Sequence, residues 1–92
     1  MKVSFYATIR AIVGTKTLEI ELAEGSSIQE LLDRLIEQCP PLGEKLLDPE
    51  GKLSRSVQVY VDGRSASHLP DALQTPLRAD QSVDIFPAIA GG

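Results

Sequence analysis

Hydrophobic and polar residues alternate from Lys2 to Ile9, with Val3, Phe5, Ala7 and Ile9 on one side and Lys2, Ser4, Tyr6 and Thr8 on the other. That period of two belongs to a half-buried strand. Gly14-Thr15 interrupts the run. Thr17 to Leu22 then alternates again, setting Leu18, Ile20 and Leu22 against Thr17, Glu19 and Glu21. The pattern predicts an antiparallel hairpin with residues 10–15 as its connection. After Glu24-Gly25-Ser26 the period changes. Ile28, Leu31, Leu32, Leu35 and Ile36 recur at helical spacing, while Gln29, Glu30, Asp33, Arg34 and Glu37 point away. Ser27 with Glu30 three positions later forms a capping box, which predicts a helix starting near Ile28. Each fully buried aliphatic on that stripe contributes about 1.5–3 kcal/mol, so this helix anchors the fold. Pro40-Pro41 ends it, because neither ring nitrogen can donate the next helical hydrogen bond.

The second half of the chain returns to strand periods. Leu42 to Leu47 is a candidate short helix, and Asp48-Pro49-Glu50-Gly51 reads as a turn. Ser56 to Val61 places Val57, Val59 and Val61 on one face and Gln58 and Tyr60 on the other, followed by the hairpin dipeptide Asp62-Gly63. Arg64 to Ser67 is a candidate return strand. Residues 68–81 hold Pro70 and Pro76 and read as mostly irregular. Ser82 to Phe86 is a last strand, with Val83 and Ile85 inward. The order β-β-α-(α)-β-(β)-β predicts an α+β fold in which one main helix packs on one face of a mixed sheet of four to five strands. The β-grasp, or ubiquitin-like, fold has this order. Residues 1–86 would form that domain, and residues 87–92 a flexible C-terminal tail.

Composition narrows the chemistry. Ninety-two residues leave room for one domain, and a net charge of −4 has the wrong sign for a generic phosphate-backbone binder. Nucleic acid is therefore not an expected partner. A single cysteine, Cys39, cannot close an intrachain disulfide, and with the single histidine, His68, it leaves a Cys/His zinc site short of ligands. The polar-broken start resembles no signal peptide, and no apolar run approaches the ~20 residues of a membrane span, so a cytoplasmic location away from membranes is expected. His68 has no partnered nucleophile in the sequence and reads as a surface or structural residue. Cys39 lies eleven positions after Ile28, about three helical turns, and so extends the buried stripe as a small hydrophobe. The carboxylates Glu19, Glu21 and Glu24 read as a solvated strand face and turn. No catalytic residue is expected in the body.

The C-terminus carries the chemistry instead. Pro87-Ala88-Ile89-Ala90-Gly91-Gly92 is uncharged and small. Glycines without Cβ atoms can thread a slot closed to other residues. Six extended residues reach roughly 20 Å, enough to enter a partner's cleft while the body docks outside. The terminal carboxylate is ionised at neutral pH, with a pKa of about 3.3–3.7, and is a poor electrophile until one oxygen becomes a leaving group. Adenylation by ATP would provide that, and capture of the acyl-adenylate by sulfur, a thiol or an amine would follow.

Phe5-Tyr6-Ala7-Thr8-Ile9-Arg10-Ala11-Ile12-Val13-Gly14-Thr15, Thr75-Pro76-Leu77, Val83-Asp84-Ile85-Phe86-Pro87 and Gly91-Gly92 together resemble the ThiS/MoaD family of ubiquitin-like sulfur carriers, MoaD types most closely. The resemblance covers nearly the whole chain. It implies a β-grasp fold and a carrier, not an enzyme, whose Gly92 is adenylated by an E1-like (MoeB/ThiF-type) enzyme using ATP and then converted to a thiocarboxylate, with no cofactor bound permanently. It also implies that sulfur passes to a molybdopterin synthase large subunit for molybdenum cofactor synthesis, or to another sulfur-accepting enzyme of cysteine, thiamine or tRNA thiolation. By the same resemblance Gly92 is the thiocarboxylate and adenylation site, with Gly91 its partner, and Phe86 is the docking aromatic before proline. Pro87, Ala88, Ile89 and Ala90 would enter the partner. Tyr6 and Tyr60 could join Phe86 in an apolar patch on the open sheet face, unless the segment after residue 63 covers it. The chain departs from the family pattern at Ala79-Asp80-Gln81, where relatives often have Asp-Gly-Asp, and at Ala88, where many have a second proline. The activated terminus also permits a protein modifier joined to lysines, and a third reading is a non-covalent adaptor using the sheet face.

Overall fold

The computed structural model describes residues 1–87, and the expected tail residues Ala88, Ile89, Ala90, Gly91 and Gly92 lie outside the described residues. Five strands form one mixed sheet: β1 Lys2–Phe5, β2 Thr17–Glu19, β3 Val57–Val61, β4 Arg64–Ser65 and β5 Ser82–Pro87, in the spatial order β2-β1-β5-β3-β4. β1 and β5 run parallel at the centre, with Val3 beside Val83 and Phe5 beside Ile85. All other pairings are antiparallel. The parallel pair joins the first and last strands of the body, so every other element lies in the crossover between them.

Three helices accompany the sheet: α1 Ala7–Val13, α2 Ile28–Gln38 and α3 Pro41–Leu46. In α2 both capping-box bonds are present, as the sequence predicts. The Ser27 hydroxyl accepts from the Glu30 amide at 3.2 Å, and the Glu30 carboxylate accepts from the Ser27 amide at 3.3 Å. Ile28, Leu31, Leu32 and Leu35 are buried against the inner sheet residues Val3, Phe5, Val57, Val59, Val61, Val83 and Ile85. Ile36 stays half-buried, at the side of the stripe that meets Gly43 of α3. Pro40 follows the Cys39 C-cap of α2, and Pro41 begins α3, where its missing N–H is one the first helical turn leaves unpaired anyway.

The predicted first hairpin is corrected in one respect. β1 and β2 do pair antiparallel, but the strand stops at Phe5 and residues 7–13 are helical. The Tyr6 amide still reaches the carbonyl of Ile85, after which Ala7 takes a left-handed φ of 52° and turns the chain off the sheet. Ile9, Ile12 and Val13 recur at helical spacing, and Ile9 also continues the strand alternation through Ala7. Gly14, at φ 88°, closes α1 with a bond from its amide to the Arg10 carbonyl. β2 is likewise shorter than the alternation to Leu22, although Ile20 is still buried. Cys39, expected on the buried stripe, is half-buried and directs its thiol at the Ile12 carbonyl.

The remaining segments follow the turn chemistry. Asp62 and Gly63 both have positive φ, 48° and 82°, which matches the two-residue hairpin between β3 and β4. Residues 66–81 are largely irregular, with short 3₁₀ turns at Ala66–His68 and Ala72–Gln74. They pass toward the helical side, where the Leu77 amide bonds the Ser26 carbonyl and Pro76 bridges Ser27. The opposite sheet face is thus left uncovered by that segment. No helix among the described residues is long and apolar enough to cross a membrane.

Because α2 holds the sheet's inner face, two substitutions separate its local from its tertiary contribution. Ser27→Ala should lower unfolding free energy by about 1 kcal/mol through loss of the cap. Leu32→Ala should lower it by about 2–5 kcal/mol through an unfilled cavity. Urea unfolding followed by circular dichroism measures both, and equal costs would contradict this division.

Candidate functional site

Strand alternation decides which residues face outward where β5 ends. Gln58 and Tyr60 of β3 stand opposite Phe86 and Asp84 of β5, with all four side chains on the face away from α2. Tyr6 arrives from the end of β1, held beside β5 by its amide bond to Ile85. The Tyr6 and Phe86 rings stack with centroids 4.3 Å apart and planes 20° apart. Tyr60 meets Phe86 nearly edge-on, 5.4 Å away at 84°. The three aromatics picked out in the sequence therefore form one half-buried cluster, immediately before Pro87. Pro87 is itself the last residue of β5, one position beyond the expected strand end, and pairs with Val57. A proline is tolerated there because a strand terminus needs no further ladder bond.

Asp84 belongs to this cluster, and the sequence reading gave it no role. The Tyr6 hydroxyl donates to its Oδ1 at 3.0 Å. This bond raises the Tyr6 pKa above its ordinary 10.0; desolvation and the Asp84 charge act in the same direction, and a contact with Ser4 opposes them. The phenol is therefore neutral at physiological pH and serves as a donor. Outward alternation from Val83 and Ile85 was the available signal for Asp84. His68 is exposed in its 3₁₀ turn, away from the aromatics in sequence and element. Among the described residues no group of three His, Cys, Asp or Glu side chains is arranged to hold a metal ion.

A five-stranded mixed sheet grasping α2 on one face, with an open aromatic face at the exit of the last strand, defines a ubiquitin-like β-grasp protein. The SAMP1 crystal structure from Haloferax volcanii superposes with a TM-score of 0.86 over 99% of this chain and 97% of that one, at 22% identity. The ThiS family model matches residues 3–92, and the chain belongs to that family. It is 29% identical to small archaeal modifier protein 3 of Haloferax volcanii over all of this chain and 98% of the relative. It is 32% identical to a putative sulfur carrier protein of Archaeoglobus fulgidus, over 89% of this chain and 91% of the relative. A chain of the Amycolatopsis orientalis BexX/CysO complex is 27% identical with a TM-score of 0.78, covering 99% of this chain and 98% of that one. The protein is thus a ubiquitin-like member of a family of small sulfur carriers and modifiers, and its relatives bear the names of carriers and modifiers, not of catalysts.

The Tyr6–Asp84 bond can be tested by alkaline titration. Since folding raises the Tyr6 pKa, the stabilisation linked to it is whole below about pH 10 and is lost as pH rises through the elevated value. Phenolate absorbance in a Tyr60→Phe background should show Tyr6 ionising above the ordinary range, and Asp84→Asn should move that titration down. An unchanged Tyr6 titration in Asp84→Asn would contradict the pairing of the phenol with a charged acceptor at Asp84.

Proposed function

We propose that this protein carries sulfur on the carboxyl carbon of Gly92. An E1-like enzyme docks on the Tyr6–Phe86–Tyr60 face, receives the tail from Pro87 through Gly91, and joins the Gly92 carboxylate to AMP from ATP, releasing pyrophosphate. A sulfide equivalent then attacks the acyl carbon and expels AMP, leaving a thiocarboxylate. The observation that carries this reading is the ThiS family match, which extends beyond the described body to residue 92 and so includes the Gly-Gly pair. The body supports it by geometry. β5 ends at Pro87 beside the aromatic cluster, and large half-exposed aromatics are common interface anchors.

The sulfur acceptor we propose is a molybdopterin synthase large subunit, on the strength of the opening and closing motifs that resemble MoaD. Enzymes of cysteine, thiamine or tRNA thiolation would take sulfur by the same displacement at the acyl carbon. A second reading follows from the relative named small archaeal modifier protein 3. A lysine amine attacking the same acyl-adenylate, or a thioester derived from it, would join Gly92 to another protein.

Intact-mass analysis distinguishes these outcomes. After incubation with ATP, the cognate adenylating enzyme and a sulfur donor, the mass should rise by the replacement of one oxygen with sulfur. An unmodified mass would overturn the carrier reading. Denaturing gels of cells expressing tagged protein report on the modifier reading, which requires a ladder of larger species that disappears when Gly92 is deleted.

A further inference from the structure

The open face is not uniformly apolar. Gln58, Tyr60, Gly63, Asp84, Phe86 and Pro87 line a hollow of about 290 Å³. Two of its walls are the Tyr60 and Phe86 rings, set nearly at right angles, and Tyr6 stacks on Phe86 without lining the hollow. Its polar groups include the Asp84 carboxylate and the Gln58 amide. Among the described residues, no lysine or arginine forms an ion pair with Asp84, and the hydrogen bond it accepts comes from the neutral Tyr6 phenol. An ionised carboxylate offers about four acceptor positions, so capacity remains beyond the one Tyr6 uses. A half-buried carboxylate between aromatic walls therefore has no ion-pair partner among the described residues.

We propose that this hollow receives the guanidinium of an arginine presented by the protein that docks on this face. The inference rests on reading the face as a docking surface and names the chemistry of the group that fills it. A planar guanidinium stacks on an aromatic ring while its fork of N–H donors reaches a carboxylate and an amide oxygen. A lysine ammonium is more strongly hydrated and has no planar fork, so it fits an aromatic-walled site less well. The net charge of −4 also favours approach of a cationic surface. Asp84 thus sets partner specificity, and the aromatics provide contact area.

Backbone amide NMR of the full chain, titrated with ethylguanidinium at constant ionic strength, tests the site without its partner. Saturable shifts should centre on Gln58, Tyr60, Asp84 and Phe86. Ethylammonium should bind about tenfold more weakly, a difference of ~1.4 kcal/mol. Asp84→Asn should weaken ethylguanidinium by a similar factor, while Asn keeps an oxygen for the Tyr6 bond. Tyr60→Leu removes one ring without touching that bond, and supplies the same reading if the first variant fails to fold. Equal binding of the two cations, shifts spread over the acidic face of α2, or unchanged affinity in the folded variants would overturn the proposal. The mass assay for thiocarboxylate involves no guanidinium. A mass gain without guanidinium binding would remove this inference alone, and guanidinium binding without a mass gain would remove only the carrier reading.

Discussion

The parallel pairing of β1 with β5 places everything else. It sets Val3 beside Val83 and Phe5 beside Ile85, with Val3, Val83 and Ile85 fully buried and Phe5 nearly so, and extends one residue further through the bond from the Tyr6 amide to Ile85. That bond holds the Tyr6 backbone beside β5, and the hydroxyl bond to Asp84 ties its ring to the same strand. A phenol from the start of the chain and a benzyl ring near its end thus stack at 4.3 Å. Joining strands so far apart in sequence costs loop-closure entropy that local contacts do not offset. The α2 stripe supplies the compensation by burying Ile28, Leu31, Leu32 and Leu35 across the same sheet.

A small body restricts what the protein can do by itself. Its side chains are spent on one core, and the groups left on the open face, three aromatics, a carboxylate and an amide, are suited to recognition. None of them is a strong nucleophile. Chemistry at a main-chain carboxylate fits this economy because it asks nothing of the body except that the terminus leave from a defined point. β5 provides that point at Pro87, next to the cluster a partner would grip. On the proposed reading docking and reaction are thus separated: Asp84 and Phe86 at the end of β5 would serve recognition, and the residues after Pro87 delivery.

Much of this was legible in the sequence where one period dominates. The α2 stripe with its Ser27–Glu30 box, the Val57–Val59–Val61 alternation and the Asp62-Gly63 turn all have one physical solution. Residues 7–13 do not, since Ile9 continues the strand alternation and also starts the helical spacing with Ile12 and Val13. Here the tertiary contacts of α1 with β5 and α3 decided, aided by Gly14 as its cap. The aromatic face was legible from outward positions, but the contact between Tyr6 and Phe86 was not, because strand order depends on pairings that periodicity does not encode. Asp84 was visible as an outward residue and acquired meaning only once Tyr6 was seen to bond it.

On the proposed reading, the folded body presents the Gly92 carboxylate for activation by another enzyme. ATP–pyrophosphate exchange catalysed by the cognate adenylating enzyme tests it most directly, comparing the chain with one carrying a single alanine after Gly92. The extended protein should unfold at the same urea concentration and support no exchange, while the unextended protein supports it. Undiminished exchange from the extended protein would contradict that reading.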